Sequence, residues 1–240
     1  MTHMLFREDA YLRQAEAVVT GYTDQGHLIV DESVFYPTGG GQPGDSGWLD
    51  LAGGDRCEIT TTLKGEGEDI ILVPAEHSIL PAVGATVMMR LDWERRFGHM
   101  RVHTALHLMS VAIPFGVTGG SISADKGRLD FDMAEPPEDK DAIARAINDL
   151  IATDARVHEE WITEEELDAQ PDLVKTLTVK PPRGSGRIRL IRIGDEATPI
   201  DLQPCGGTHV ARLGEIGRVR LGKTEKKGRM NRRIYLHLDG

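Results

Sequence analysis

The chain has 240 residues, 28 Lys and Arg against 38 Asp and Glu for a formal net charge of -10, and 40% hydrophobic content. That length and apolar content suit one large or two modest cored domains, and the negative field excludes a generic polyanion binder, although local charge decides each contact. No apolar run approaches the roughly 20 residues of a membrane span, and Arg7, Glu8 and Asp9 interrupt any signal-peptide pattern, so a cytoplasmic protein without membrane contact is expected.

Residues 1 to 92 alternate in the manner of short strands: Ala17 to Thr20, His27 to Val30, Val34 to Tyr36, Glu58 to Thr60, Ile70 to Val73 and Val87 to Leu91. With Gly, Asp and Pro turns between them they predict a small β barrel or sandwich. Cys57 reads as a buried small hydrophobe, and two cysteines fit a reducing compartment better than a disulfide framework. Asp92 is the expected N-cap of a helix running from Trp93 to about Ala112 and stopping before Pro114 and Gly116. Beyond it come a strand at Arg128 to Asp132, a helix from about Glu138 to Ala152, a strand around Val157 to Ile162 and a short helix. Strands at Arg187 to Ile191, Gly217 to Leu221 and Ile234 to Leu238 follow. The expected class is α+β, with a β-barrel-like domain over residues 1–92 and an α+β domain over residues 93–240.

The most informative residues are two short pairs of metal donors far apart in the chain. In Arg101-Val-His-Thr-Ala-Leu-His-Leu108, the spacing of His103 and His107 puts both imidazoles on one helix face, one turn apart. In Cys205-Gly-Gly-Thr-His209 a thiolate and an imidazole flank two glycines, read here as permitting a tight fold. One sulfur and three nitrogens suit tetrahedral Zn2+ better than Mg2+ or Ca2+, which prefer oxygen. If all four bind, the tetrahedron is closed; His209 is the expected weak ligand. His99 shares the face of His103 but would sit a turn farther away, so it is read as a neighbour. Thr104 and Thr208 lie inside the motifs, with ligand-orienting and plain packing roles both open.

Three further features carry two readings each. The loop Phe35-Tyr-Pro-Thr-Gly-Gly-Gly-Gln-Pro-Gly-Asp-Ser-Gly47 is either an irregular β connection or a substrate-lining loop using Gly39, Gly40, Gly41 and Gln42. It lacks the Gly-Lys-Ser/Thr of a phosphate-binding loop, so no nucleotide cofactor is expected. Acid concentrates between Asp130 and Asp168, and base between Arg218 and Arg233. That basic stretch, with Lys226, Lys227, Arg232 and Arg233, is either a soluble hairpin or a phosphate-contacting strip; its closeness to the CxxxH ligands favours the strip. Thr118, in Val117-Thr-Gly-Gly-Ser121, is either a turn threonine or a substrate contact.

The glycine loop, Asp92-Trp-Glu-Arg-Arg96, His103-Thr-Ala-Leu-His107 and Cys205-Gly-Gly-Thr-His209, in that order, resemble the AlaX family, freestanding relatives of the editing domain of alanyl-tRNA synthetase. Gly214-Glu-Ile-Gly217 and Arg232-Arg-Ile-Tyr235 extend the match over nearly the whole chain. The resemblance implies a zinc-dependent hydrolase acting in trans on mischarged tRNA(Ala), with Ser-tRNA(Ala) the first expected substrate and Gly-tRNA(Ala) the second. It implies that His103, His107, Cys205 and Thr118 serve catalysis, the last by meeting the serine hydroxyl, since a site built to bond that group rejects an analogue lacking it. Two other classes stay open: an RNA-binding module with purely structural zinc, and a metallohydrolase of small esters or amides.

Overall fold

The structure is a computed structural model that describes residues 1–178 and 186–239. The described chain is α+β and divides into two compact units, Met1–Phe97 and Gly98–Gly240. The division falls inside the helix that begins at Trp93, whereas the change from strand to helix period places the expected boundary at residue 92.

In the first unit a short strand β1 (His3–Met4) and a single helical turn α1 (Leu5–Glu8) precede β2 (Gln14–Tyr22), β3 (Leu28–Val30), β4 (Glu32–Ser33) and β5 (Gly47–Asp50). The strands β6 (Arg56–Lys64), β7 (Ile70–Pro74) and β8 (Thr86–Leu91) complete it. Six of these close a barrel in the order β2-β3-β7-β6-β5-β8, and β1 pairs in parallel with β4. Alternation along the strands turns Val19, Leu28, Val30, Leu49, Ile59, Leu72 and Met89 into the barrel core, with Cys57 fully buried among them.

The expected strand at Val34 to Tyr36 is not one. Those residues are buried, but the amide of Phe35 donates to Oγ of Ser33 and that of Tyr36 to Oδ2 of Asp45, so side chains satisfy groups that a ladder would otherwise claim. At the tip of the glycine loop, Gly39 and Gln42 exchange both backbone hydrogen bonds at 3.0 Å around Gly40 and Gly41. These two have φ of 58° and 83°. Positive φ at both central positions is what a type I′ hairpin turn requires.

Helix α2 (Trp93–Ala112) begins where Oδ1 of Asp92 accepts from the amide of Arg95, the expected cap. The second unit adds β9 (Val117–Ile122), β10 (Lys126–Asp132), α3 (Lys140–Ala152), β11 (Val157–Thr163) and α4 (Glu164–Asp168). It ends with β12 (Arg187–Gly194), β13 (Pro199–Pro204), β14 (Val219–Gly228) and β15 (Asn231–Leu238). Two antiparallel sheets result, β14-β15-β10-β9 and β11-β12-β13. A Cβ on Gly127 would stand 2.7 Å from Val102 and 2.9 Å from Leu106, so the missing side chain lets α2 lie close on β10. That contact fixes the helix whose neighbouring face carries His103 and His107. No helix among the described residues is long and apolar enough to cross a membrane.

Candidate metal centre

The four motif donors meet. One donor atom from each of His103, His107, Cys205 and His209 lies within 4.8 Å of all the others. Sγ of Cys205 is 3.4 Å from Nε2 of His103 and 3.3 Å from Nε2 of His209. Zinc bond lengths of about 2.3 Å to sulfur and about 2.05 Å to nitrogen put the edge of an ideal tetrahedron near 3.5 Å, so these gaps fit a cation at the centre. His99, although buried, is not in the cluster, as expected of a neighbour.

The outward ring nitrogens of His107 and His209 each have a fixed partner. Nδ1 of His107 lies 2.9 Å from Oδ2 of Asp201, a carboxylate that can only accept, so Nδ1 carries a proton and Nε2 is the nitrogen turned to the cluster, where a bound metal would displace its proton. Nδ1 of His209 lies 3.1 Å from Oγ1 of Thr104, whose own proton goes to the carbonyl of Met100. The threonine therefore accepts from His209 and leaves its Nε2 toward the cluster.

Electrostatics follow from burial and from these neighbours. Burial alone would raise the Cys205 thiol, but His103 and a hydrogen bond from His107 outweigh it and hold it well below its ordinary range, in the thiolate form that binds metal. Burial keeps His209 neutral, its pKa lowered to about 3. For His107 burial is opposed by Asp201 and Cys205, which carry its pKa up to about 9. Asp201 is itself buried, yet His107 and Lys175 bring its pKa down to about 2.

The Cys-Gly-Gly turn works differently from the sequence expectation. Neither Gly206 nor Gly207 is among the described glycines with positive φ, and a Cβ on Gly206 would meet open space. The loop is bracketed instead by Arg189, whose Nη1 donates to the carbonyls of Cys205 and Gly207, both at 2.9 Å, while the Gly207 amide points at Sγ from 3.5 Å.

Asp201, Gln203, Lys175 and Arg189 were missed. Asp201 and Gln203 lie on β13, a strand absent from the sequence reading, and the signal for them was the period-2 run of polar residues leading into Cys205. Nε2 of Gln203 reaches Oδ2 of Asp201 at 2.7 Å, and Nζ of Lys175 pairs with its Oδ1.

None of the other expected site residues is among the four clustered donors. Thr118 lies in β9, not in a loop. Its hydroxyl donates to the carbonyl of Asp130 at 3.1 Å and accepts from Asn231 at 2.8 Å. Of the glycine-loop residues, Gly40 and Gly41 are exposed while Gln42 is buried. Lys226 and Lys227 are exposed on β14, and Lys227 pairs with Glu225 at 2.8 Å. In contrast to the expectation of open phosphate contacts, Arg232 is only 4% exposed, because the strand register turns it to the face of Ile234 and Leu236. Its Nη1 donates to the carbonyls of Gly228 and Asn231. Arg233 is gripped by Asp130 through two bonds of 2.8 and 2.9 Å.

Comparison with known proteins agrees with this arrangement. The family described as the threonyl and alanyl tRNA synthetase second additional domain matches residues 188–235, which include Cys205 and His209. The alanyl-tRNA editing protein AlaX-M of Methanosarcina acetivorans is 32% identical over 99% of this chain and 99% of its own length. That of Saccharolobus solfataricus is 34% identical over 98% of each. An alanine-tRNA ligase of Pyrobaculum calidifontis is 32% identical over 94% of this chain but only 25% of its own length. With its metal-donor motifs brought together and its whole length shared with these relatives, the chain belongs to the AlaX family of alanyl-tRNA editing proteins.

Proposed function

We propose that this protein is a cytoplasmic, zinc-dependent aminoacyl-tRNA hydrolase that works in trans on mischarged tRNA(Ala), cleaving Ser-tRNA(Ala) and, second, Gly-tRNA(Ala). The observation that carries the reading is the meeting of His103, His107, Cys205 and His209 at one point, in a chain aligned end to end with relatives named alanyl-tRNA editing proteins. The donor set and its spacing support zinc, and the two free cysteines suit a reducing compartment. In the reaction water adds to the acyl carbon, the bond to the ribose oxygen breaks, and the amino acid and the tRNA 3′ hydroxyl leave, each with its proton. Bound zinc supplies positive charge and Lewis acidity for that ester.

The chain's own residues set the stage. Asp201 and Thr104 fix the tautomers of His107 and His209, Arg189 holds the loop of Cys205, and the buried histidines exclude bulk water, which strengthens every charge interaction. Contacts to the tRNA are assigned to the glycine turn at Gly39, Gly40, Gly41 and Gln42, exposed at Gly40 and Gly41, and to the basic hairpin. There Lys226 and Lys227 offer charge to phosphate, and Arg232 and Arg233 hold the hairpin that presents it. Thr118 is assigned the serine side chain.

The test is deacylation of seryl-, glycyl- and alanyl-tRNA(Ala), each with and without a chelator. Hydrolysis of the first two, lost on chelation and restored by zinc, is the expected result. Equal hydrolysis of all three would remove the proofreading assignment, and activity on small esters alone would replace it with a general esterase.

A further inference from the structure

Asp201 is 3% exposed and sits on β13 with Gln203, on the buried face that leads into Cys205. One carboxylate oxygen takes the Nδ1 proton of His107 and the other meets the ammonium of Lys175. A buried carboxylate is costly unless it is paired, so Lys175 and Asp201 keep each other in place. Lys175 is also tied down through its backbone. Its carbonyl accepts from the amide of Val117 at 3.0 Å, the amide of Leu177 donates to the carbonyl of Val117 at 2.8 Å, and Thr178 reaches the carbonyl of Thr118 at 2.8 Å. The segment from Lys175 to Thr178 thus runs along the edge of β9 as a strap, with a parallel bridge between Val117 and Thr176. Its lysine ends on the carboxylate behind a metal donor.

We propose that Asp201, clamped by Lys175, is the positioning residue of the metal centre: it fixes the tautomer and ring orientation of His107 and makes the Lys175–Thr178 strap part of the support of the site. A carboxylate on the far nitrogen of a ligating histidine raises its basicity and locks its ring, and loss of such a partner costs roughly 10- to 100-fold in metal affinity. Lys175 does not touch the cluster. It acts by holding Oδ1 of Asp201 while His107 and Gln203 hold Oδ2, so its removal leaves the carboxylate less firmly fixed behind Nδ1.

The inference rests on the metal reading of the four donors and not on the tRNA substrate, so its test needs no tRNA. Zinc affinity is measured by competition with a chromophoric chelator, and site geometry by the visible absorption of the cobalt-substituted protein. The parent should bind one zinc. Asp201→Asn should bind it roughly 10- to 100-fold more weakly with a shifted cobalt spectrum, Lys175→Met should lose less in the same direction, and Lys175→Arg should keep the parent spectrum. A parent that binds no zinc would sink the metal reading as well as this one. If the parent binds zinc while Asp201→Asn matches it within roughly twofold and keeps its cobalt bands, the proposal alone is overturned. Should Asp201→Asn fail to fold, an unchanged spectrum and affinity in Lys175→Met overturns it equally.

Discussion

Each unit of this chain buries a polar cluster, and the two are built to opposite ends. In the first, Arg96 is 0% exposed and spends its guanidinium entirely on the chain: Nε and Nη2 on Asp45, Nη1 on the carbonyl of Ala10, and Nη2 also on that of Val34. In the second, His103, His107 and His209 are nearly as buried, but Asp201 and Thr104 take Nδ1 of His107 and His209 and turn their other nitrogens to the cluster. They converge with a thiolate on a single point. A buried charge whose hydrogen bonds close on the chain is architecture; a buried thiolate and imidazoles that converge make a place for a cation from outside. The contrast also explains two motifs at once, since the aspartate of the glycine loop and the second arginine of Asp92-Trp-Glu-Arg-Arg96 are each other's partners.

The largest effect should come from the converging cluster. Cys205→Ala removes its thiolate, and loss of several kcal/mol of transition-state stabilisation corresponds to a fall in deacylation on the order of 10³-fold. The variant should still give the parent's circular dichroism and bind tRNA; a folded variant with near-parent turnover would show that the cluster is no catalytic centre. Arg96→Met should do the reverse. Breaking a buried pair from one side costs about 3 to 5 kcal/mol, read as a drop in the urea midpoint, while zinc bound per folded molecule stays at the parent value. Loss of zinc with full stability would mean that the two clusters have been assigned the wrong roles.

Much of this was legible in the sequence because it rests on short-range geometry. The i,i+4 histidines, the Asp92 cap and the alternation of the barrel strands each follow from the period of one element, and each stands where the residues placed it. What escaped depends on pairing between elements. Val34 to Tyr36 has the composition of a strand, but the loop's own Asp45 takes its amide, a contact no local pattern encodes. Asp201 looks like any polar residue until β13 is laid beside β12 and its side chain arrives behind His107. Arg232 reads as one more cation in a basic run, and only the register with Phe131 turns it inward.

The hairpin allows the comparison to be sharpened at the surface. If Lys226 and Lys227 meet phosphate, replacing both with glutamine should weaken tRNA binding uniformly across tRNA sequences and reduce the salt-dependence slope by about 2, one for each contact. An unchanged slope would assign the strip to solubility alone. Thr118→Val probes a smaller term. Under the assigned role, hydrolysis of Ser-tRNA(Ala) relative to Ala-tRNA(Ala) should fall by roughly tenfold, as a lost hydrogen bond to substrate implies. An unchanged ratio would leave Thr118 as the tie between Asp130 and Asn231 that its bonds describe.

The smallest expected effect lies on the sheet face where Asp130 receives Arg128 and Arg233. Burial would raise the pKa of this carboxyl, but the hydrogen bonds from the two arginines outweigh it and bring it below the ordinary carboxylate range. A folded-state pKa lowered in this way contributes stability that is complete above the unfolded value of about 3.9 and is lost as pH falls through the folded one. Asp130→Asn should therefore lower unfolding free energy at neutral pH by on the order of 1 kcal/mol, and the difference from the parent should shrink in acid. Urea titrations at about pH 7 and in increasing acid below the unfolded value follow that loss. A gap that persists unchanged in acid would mean that Asp130 contributes through packing and not through its charge, which would place it closer to the threonine it accepts through its backbone than to the arginines that grip its side chain.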